Sequence, residues 1–142
     1  MYRHDYVLRL IERLGQVLRT LRDRLRGREL SNEDLLVELQ EIAREAGLDV
    51  AFARRLDPAT MVTWLAPTLD PAGTDRVWLM AELFYVEGQV ARAAGHTQRA
   101  DADFNRALVL FNRIPPTWRP QADEPTAAER VAELEQLLAG GP

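Results

Sequence analysis

The sequence predicts an all-α fold, and three observations carry that prediction. Apolar residues recur at three- and four-residue spacing along most of the chain. No stretch sustains the strict alternation of a half-buried strand. The periodic segments open on Ser, Thr or Asp and close on Gly or Pro, the punctuation of helices. The 142 residues suffice for one domain with a real core. The expected architecture is a compact multi-helix domain, residues 1–142, of about six helices around one αα-hairpin. Within it, 1–28 is an Arg-rich amphipathic helix and 29–69 a set of short capped helices. The hairpin occupies 74–114, a Pro-rich connector 115–125 and a last helix 126–139.

The first segment places Val7, Ile11, Leu14, Leu18, Leu21 and Leu25 in alternating four-three spacing, the seam of a helix that packs along a neighbour. Leu10 and Val17 widen the stripe, and Gly27 is the expected stop. Arg9, Arg13, Arg19, Arg22, Arg24 and Arg26 make its other faces basic. Three readings stay open: a core helix with a solvated basic face, a homodimer seam along the six seam residues, or a surface for nucleic acid or anionic lipid headgroups.

Ser31 with Asp34 reads as a capping pair for a second helix, whose apolar face is Leu35, Leu36, Leu39, Ile42, Ala43 and Ala46 and whose stop is Gly47. Asp49 caps a short unit through Leu56, and Asp57-Pro58 restarts the chain as N-cap plus first-turn proline. Asp70 to Gly73 reads as a turn, with Thr74 capping the most apolar segment of the chain. That segment carries Val77, Trp78, Leu79, Met80, Leu83, Phe84, Val86 and Val90, so it needs neighbours on at least two faces. Gly95 suits a left-handed stop, and its partner helix runs from about Gln98 to Asn112. Four of the eight prolines fall between Pro115 and Pro125, which predicts an extended connector; Trp118 within it is either a ligand motif or a pin onto the core. Thr126 with Glu129 is a second capping box, and Val131, Leu134, Leu137 and Leu138 form the last apolar face before Gly140-Gly141.

Composition narrows the functional classes. With 46% apolar and 28% charged residues the chain is that of an ordinary folded protein, not a disordered one. It has no cysteine, so disulfides and thiolate metal sites are impossible. The net charge of −4 divides into +5 up to Arg28 and −9 beyond it. All eighteen basic residues are Arg, which a GC-rich coding sequence also produces. Apolar runs such as Val77 to Ala81 are too short to span a bilayer, and the charged opening residues are not a signal peptide. A cytoplasmic protein is expected.

Catalytic material is thin. Ser31 is explained by capping, and His4 and His96 lack the Glu three residues earlier that carboxylate-bridged metal bundles use. No glycine-rich phosphate loop is present. Asp101 and Asp103 fall on different helix faces and read as solvated surface. The expectation is a protein that is not an enzyme and uses no cofactor or metal.

The hairpin from Ala81 to Asn112 places Phe84, Gly88, Gly95, Ala100, Phe104 and Ala107 where two close helices need an aromatic wedge and small residues. In this register it resembles a tetratricopeptide repeat, with Glu87 standing for the usual Leu, Ala91 for the usual Tyr, and Pro115 three residues late. The resemblance implies a protein or peptide partner in a groove lined by Glu82, Tyr85, Gln89 and Arg92. The opening residues Met1, Tyr2, Asp5, Tyr6, Arg9, Ile11, Glu12 and Leu18, with Gly47-Leu48-Asp49 and Leu56-Asp57-Pro58, resemble an uncharacterised bacterial family of small helical proteins. That family brings no activity. It implies that the helices belong to one domain. The expected function is therefore an interaction or scaffold role, with homodimerisation expected from the seam and binding of nucleic acid or an anionic membrane surface as the alternative.

Overall fold

In a computed structural model, residues 4–27, 32–65 and 71–140 are described. They form seven helices and no strand: α1 (His4–Arg26), α2 (Glu33–Ala46), α3 (Val50–Ala53), α4 (Pro58–Leu65), α5 (Pro71–Ala93), α6 (Thr97–Phe111) and α7 (Ala127–Leu138). The all-α expectation holds. α5 is the axis of the molecule: it packs against α6, α1, α2 and α4, and α7 closes on α6.

Sequence explains why α5 is central. Its residues 77–81 and 83–86 are all at most 2% exposed, so no side of this stretch is left to water. The hairpin closes through Gly95 at φ 82°, where the N–H groups of Gly95 and His96 donate to the Arg92 and Ala91 carbonyls. Gly88 sets the distance between α5 and α6. A Cβ built there would lie 2.5 Å from Cε1 and 2.6 Å from Cδ1 of Phe104, so the aromatic ring fills the space that a side chain at 88 would need.

α1 uses its periodic face inside the chain. Leu10, Ile11, Leu14, Val17, Leu18 and Leu21 are all buried in the common core, with Tyr6 and Val7 packed at its edge. The proposed dimer seam is therefore mostly occupied by the chain's own α5 and α2. Of its six residues only Leu25 is largely exposed, at 48%. A dimer built on that seam would have to open the core.

Local capping largely follows the sequence. Asp49 accepts from the Phe52 N–H, Asp57 from the Thr60 N–H, and Thr126 with Glu129 makes a complete capping box. Two starts differ. α5 begins at Pro71, so Thr74 lies inside the helix instead of capping it, Pro71 taking the favoured first position. Ser31 lies outside the described residues, and the N-cap of α2 is Asn32, whose side chain makes no capping bond.

The connector is not extended. Residues 115–126 fold into successive turns, and Trp118 lies against Trp78, with ring centroids 5.3 Å apart. Trp78 also meets Phe111 edge-on at 4.9 Å. The carbonyls of Trp118 and Pro116 accept from the Ala127 and Ala128 N–H groups, so the connector serves the first turn of α7. Trp118 is a pin onto the core.

Candidate functional site

Three surfaces invite a functional reading: the basic side of α1, the strip along α5, and a groove where α2, α5 and α6 meet.

The basic side of α1 is partly neutralised. Arg13 reaches Glu38 at 3.0 Å and Glu45 at 2.5 Å on α2, and Arg24 grips Asp34 in two bonds of 2.7 Å. Arg26 pairs with Asp23. The Arg13 contact holds Glu45, and the Arg24 contact holds Asp34, below the usual carboxylate range. Arg9, Arg19 and Arg22 are exposed, Arg19 bonding Gln16 on the same helix, and Asp5 and Glu12 are exposed on α1 as well. Two of the six, Arg13 and Arg24, fasten α2 to α1.

The α5 strip is not an open groove. Glu82 and Tyr85 are 3% and 0% exposed, Gln89 is half-buried, and only Arg92 is on the surface. What covers Glu82 and Tyr85 is α7. Arg130 Nε and Nη2 donate to the two Glu82 oxygens at 2.6 and 3.1 Å, and Nη1 donates to Glu133 at 2.9 Å. The guanidinium lies 4.3 Å from the Tyr85 ring centre, and the Tyr85 hydroxyl donates to Glu133 at 2.5 Å. Burial acts to lower the Arg130 pKa, but Glu82, Tyr85 and Glu133 outweigh it and hold the guanidinium above its usual range. Burial, with Glu133 beside it, pushes the Tyr85 hydroxyl up to about 12. Glu124 in the connector is also raised, by burial first and then by Glu82 and Asp123.

A second ionic cluster sits on another side of α5. Arg54, just after α3, pairs with Glu87 and, at 3.1 Å, with Asp103 of α6. Arg99 lies 3.5 Å from Asp103 and 3.9 Å from Glu87, and Arg106 donates to the Arg54 carbonyl at 2.8 Å. Asp103 is 1% exposed, so the expected solvated surface at that position is a buried ion pair. The two carboxylates together outweigh the lowering effect of burial and raise the Arg54 guanidinium.

The groove opens beside this second cluster and encloses about 440 Å³. Asn32, Glu33 and Leu36 of the α2 start form one wall. Glu87, Val90, Ala91 and Ala94 form the floor, with His96 and Arg99 at the other rim. Its size and mixed lining are those of ligand-binding clefts. Leu36 is 38% exposed within it, and the other large exposed hydrophobics (Leu25, Val37, Phe52 and Trp64) also lie on α1 to α4. Phe52 and Trp64 pair edge-on with ring centres 5.1 Å apart.

Sequence reasoning singled out Glu87 and Ala91 as departures from the repeat pattern, and both line this groove. The α2 wall was not foreseen, because nothing in the sequence tells which helix crosses the end of a hairpin. Among the described residues no group of three or more His, Asp or Glu side chains is placed to hold a metal, and no helix is long and apolar enough to cross a membrane. Fold and groove define the class: an all-α helical domain built on a close-packed hairpin, with one flank of that hairpin left open as a cleft. No family model, curated protein or solved structure matches the chain.

Proposed function

We propose that the protein is a non-enzymatic interaction module that docks an extended segment of a partner protein in the α2–α5–α6 groove. The observation that carries this reading is the groove itself: an apolar floor of Val90, Ala91 and Ala94 with Leu36 left partly exposed beside it. A cleft of about 440 Å³ accommodates a few side chains, not a whole folded surface.

The resemblance to a tetratricopeptide repeat supports the same reading at the level of architecture, whereas the resemblance to the uncharacterised bacterial family brings no activity and bears on the fold alone. In the second resemblance Tyr6, Ile11 and Leu18 serve packing. Tyr6 donates to the Glu45 carbonyl, and Ile11 and Leu18 are core residues.

Random peptides displayed against the intact chain provide the test. Enriched binders should lose about tenfold or more in affinity to Ala94→Trp, which fills the groove from an exposed position while leaving the melting temperature unchanged. No enrichment, or binders indifferent to Ala94→Trp, would overturn the reading.

A further inference from the structure

Two polar atoms facing the groove have no partner among the described residues. Glu87 uses Oε1 for Arg54 and, more loosely, Arg99; Oε2 accepts no hydrogen bond. Asn32 accepts from Arg24 through Oδ1 at 3.4 Å, which leaves its amide N–H groups without an acceptor. Both residues line the groove, and each is only 8% exposed. The cleft thus offers one unfilled acceptor and one unfilled donor on side chains that are otherwise buried. Among the described residues the fully buried side-chain atoms without a partner are Trp78 Nε1 and Arg106 Nε, so these two groove atoms keep contact with water. A ligand that completes both replaces that water without loss, and one that cannot leaves them unpaired.

Charge decides what that ligand is. Glu87 and Asp103 share Arg54 and Arg99, two acids against two bases, while Arg106 meets the Arg54 carbonyl and is not part of the groove lining, so the charges at the groove are balanced. A cation brought to Glu87 Oε2 meets two guanidinium groups, and an anion brought to Asn32 meets the Glu87 carboxylate. Either would be desolvated without a counter-charge of its own. The remaining charged or titratable lining groups, Glu33 and His96, are exposed at the rim and stay hydrated. An uncharged group that both donates and accepts meets neither obstacle.

Resting on the docking reading above, we infer that the groove recognises an amide joined to an apolar side chain, as in the main chain of an uncharged apolar peptide segment. The ligand N–H donates to Glu87 Oε2, its carbonyl accepts from Asn32 Nδ2, and its apolar side chain covers Leu36, Val90 and Ala91.

Three probes with one apolar body separate the possibilities: 4-methylpentanamide, 4-methylpentanoate and 4-methylpentylamine, titrated into the isotope-labelled full chain and followed at the backbone amides of Leu36, Val90 and Ala91. The amide should bind at least about threefold tighter than either charged probe, with an affinity that changes less than about twofold as salt is raised tenfold. Asn32→Ala, which removes the amide donor without adding charge and gives up no capping bond, should weaken the amide about fivefold or more while the chain stays folded by circular dichroism. A charged probe that binds as well as the amide would overturn the ligand class and leave the docking reading standing. So would absence of shifts with all three probes while selected peptides remain sensitive to Ala94→Trp. Absence of both signals would overturn the two readings together.

Discussion

Gly88→Ala is the sharpest test of the hairpin. The added Cβ would sit 2.5 and 2.6 Å from two carbons of the Phe104 ring, where ordinary carbon contacts are about 3.5–4.0 Å. About 1 Å must therefore be opened between helices, and Phe104 cannot yield easily, being 1% exposed within the core. Overpacking costs about 1–3 kcal/mol, and an overlap of about 1 Å against a fully buried ring falls in the upper part of that range, about 2–3 kcal/mol. Against it stands the helix propensity of Ala over Gly, about 1 kcal/mol in an α-helix interior. The net expectation is a loss of about 1–2 kcal/mol, or about 3–6 °C in melting temperature for a chain of this length. Thermal unfolding followed by circular dichroism reads it directly. Combining Gly88→Ala with Phe104→Leu isolates the contact, since the smaller side chain relieves the clash and the double variant should lose less than the sum, by about 1 kcal/mol. A melting temperature for Gly88→Ala equal to or above the parent's, or strict additivity in the double variant, would refute the close crossing.

Other expectations follow from the ionic clusters and caps. Glu82→Ala strands the Arg130 guanidinium beside Glu133 alone and should cost about 3 kcal/mol in urea unfolding, whereas Glu82→Met with Arg130→Met should cost clearly less than the two single changes summed. Thr126→Ala removes the α7 capping box and should cost about 1 kcal/mol by the same measurement. The Tyr85 hydroxyl is raised in the fold, so its contribution is complete below the unfolded value near 10 and is lost as pH rises towards about 12; the loss is about 2–3 kcal/mol, and Tyr85→Phe should flatten the stability profile across that window. Asp34, Glu45, Asp57 and Glu129 are lowered by their partners, so stability should fall as pH drops below the ordinary carboxylate range, and added salt should shrink the part due to Arg13 and Arg24.

What the sequence disclosed was whatever acts over one or two turns of helix. The α1 stripe, the caps at Asp49, Asp57 and Thr126, the left-handed stop at Gly95 and the Gly88–Phe104 contact all depend on residues close in the chain or on a recognisable register. The burial of Glu82, Glu87 and Asp103 was not legible, because the charges that make it tolerable are distant. Arg54 is 33 and 49 residues from Glu87 and Asp103, and Arg130 is 48 residues from Glu82. Taken alone, each of these acids looks like surface. The same blindness misplaced the candidate strip: Glu82 and Tyr85 have the spacing of an outward helix face, and only the return of α7 turns that face inward. The groove was half visible, in the two residues that break the repeat pattern, and half hidden, in an α2 wall supplied from far upstream.

The Glu82–Arg130 contact also imposes an order in time. As the chain is made, the two helices of the hairpin are complete well before Arg130 and Glu133 exist, so one flank of α5 carries an uncompensated carboxylate that must keep its water. Arrival of α7 removes that water, supplies the counter-charge and covers Tyr85 in a single docking event. α7 then acts as a latch: until it engages, Glu82 keeps its water and the core stays open on that flank of α5.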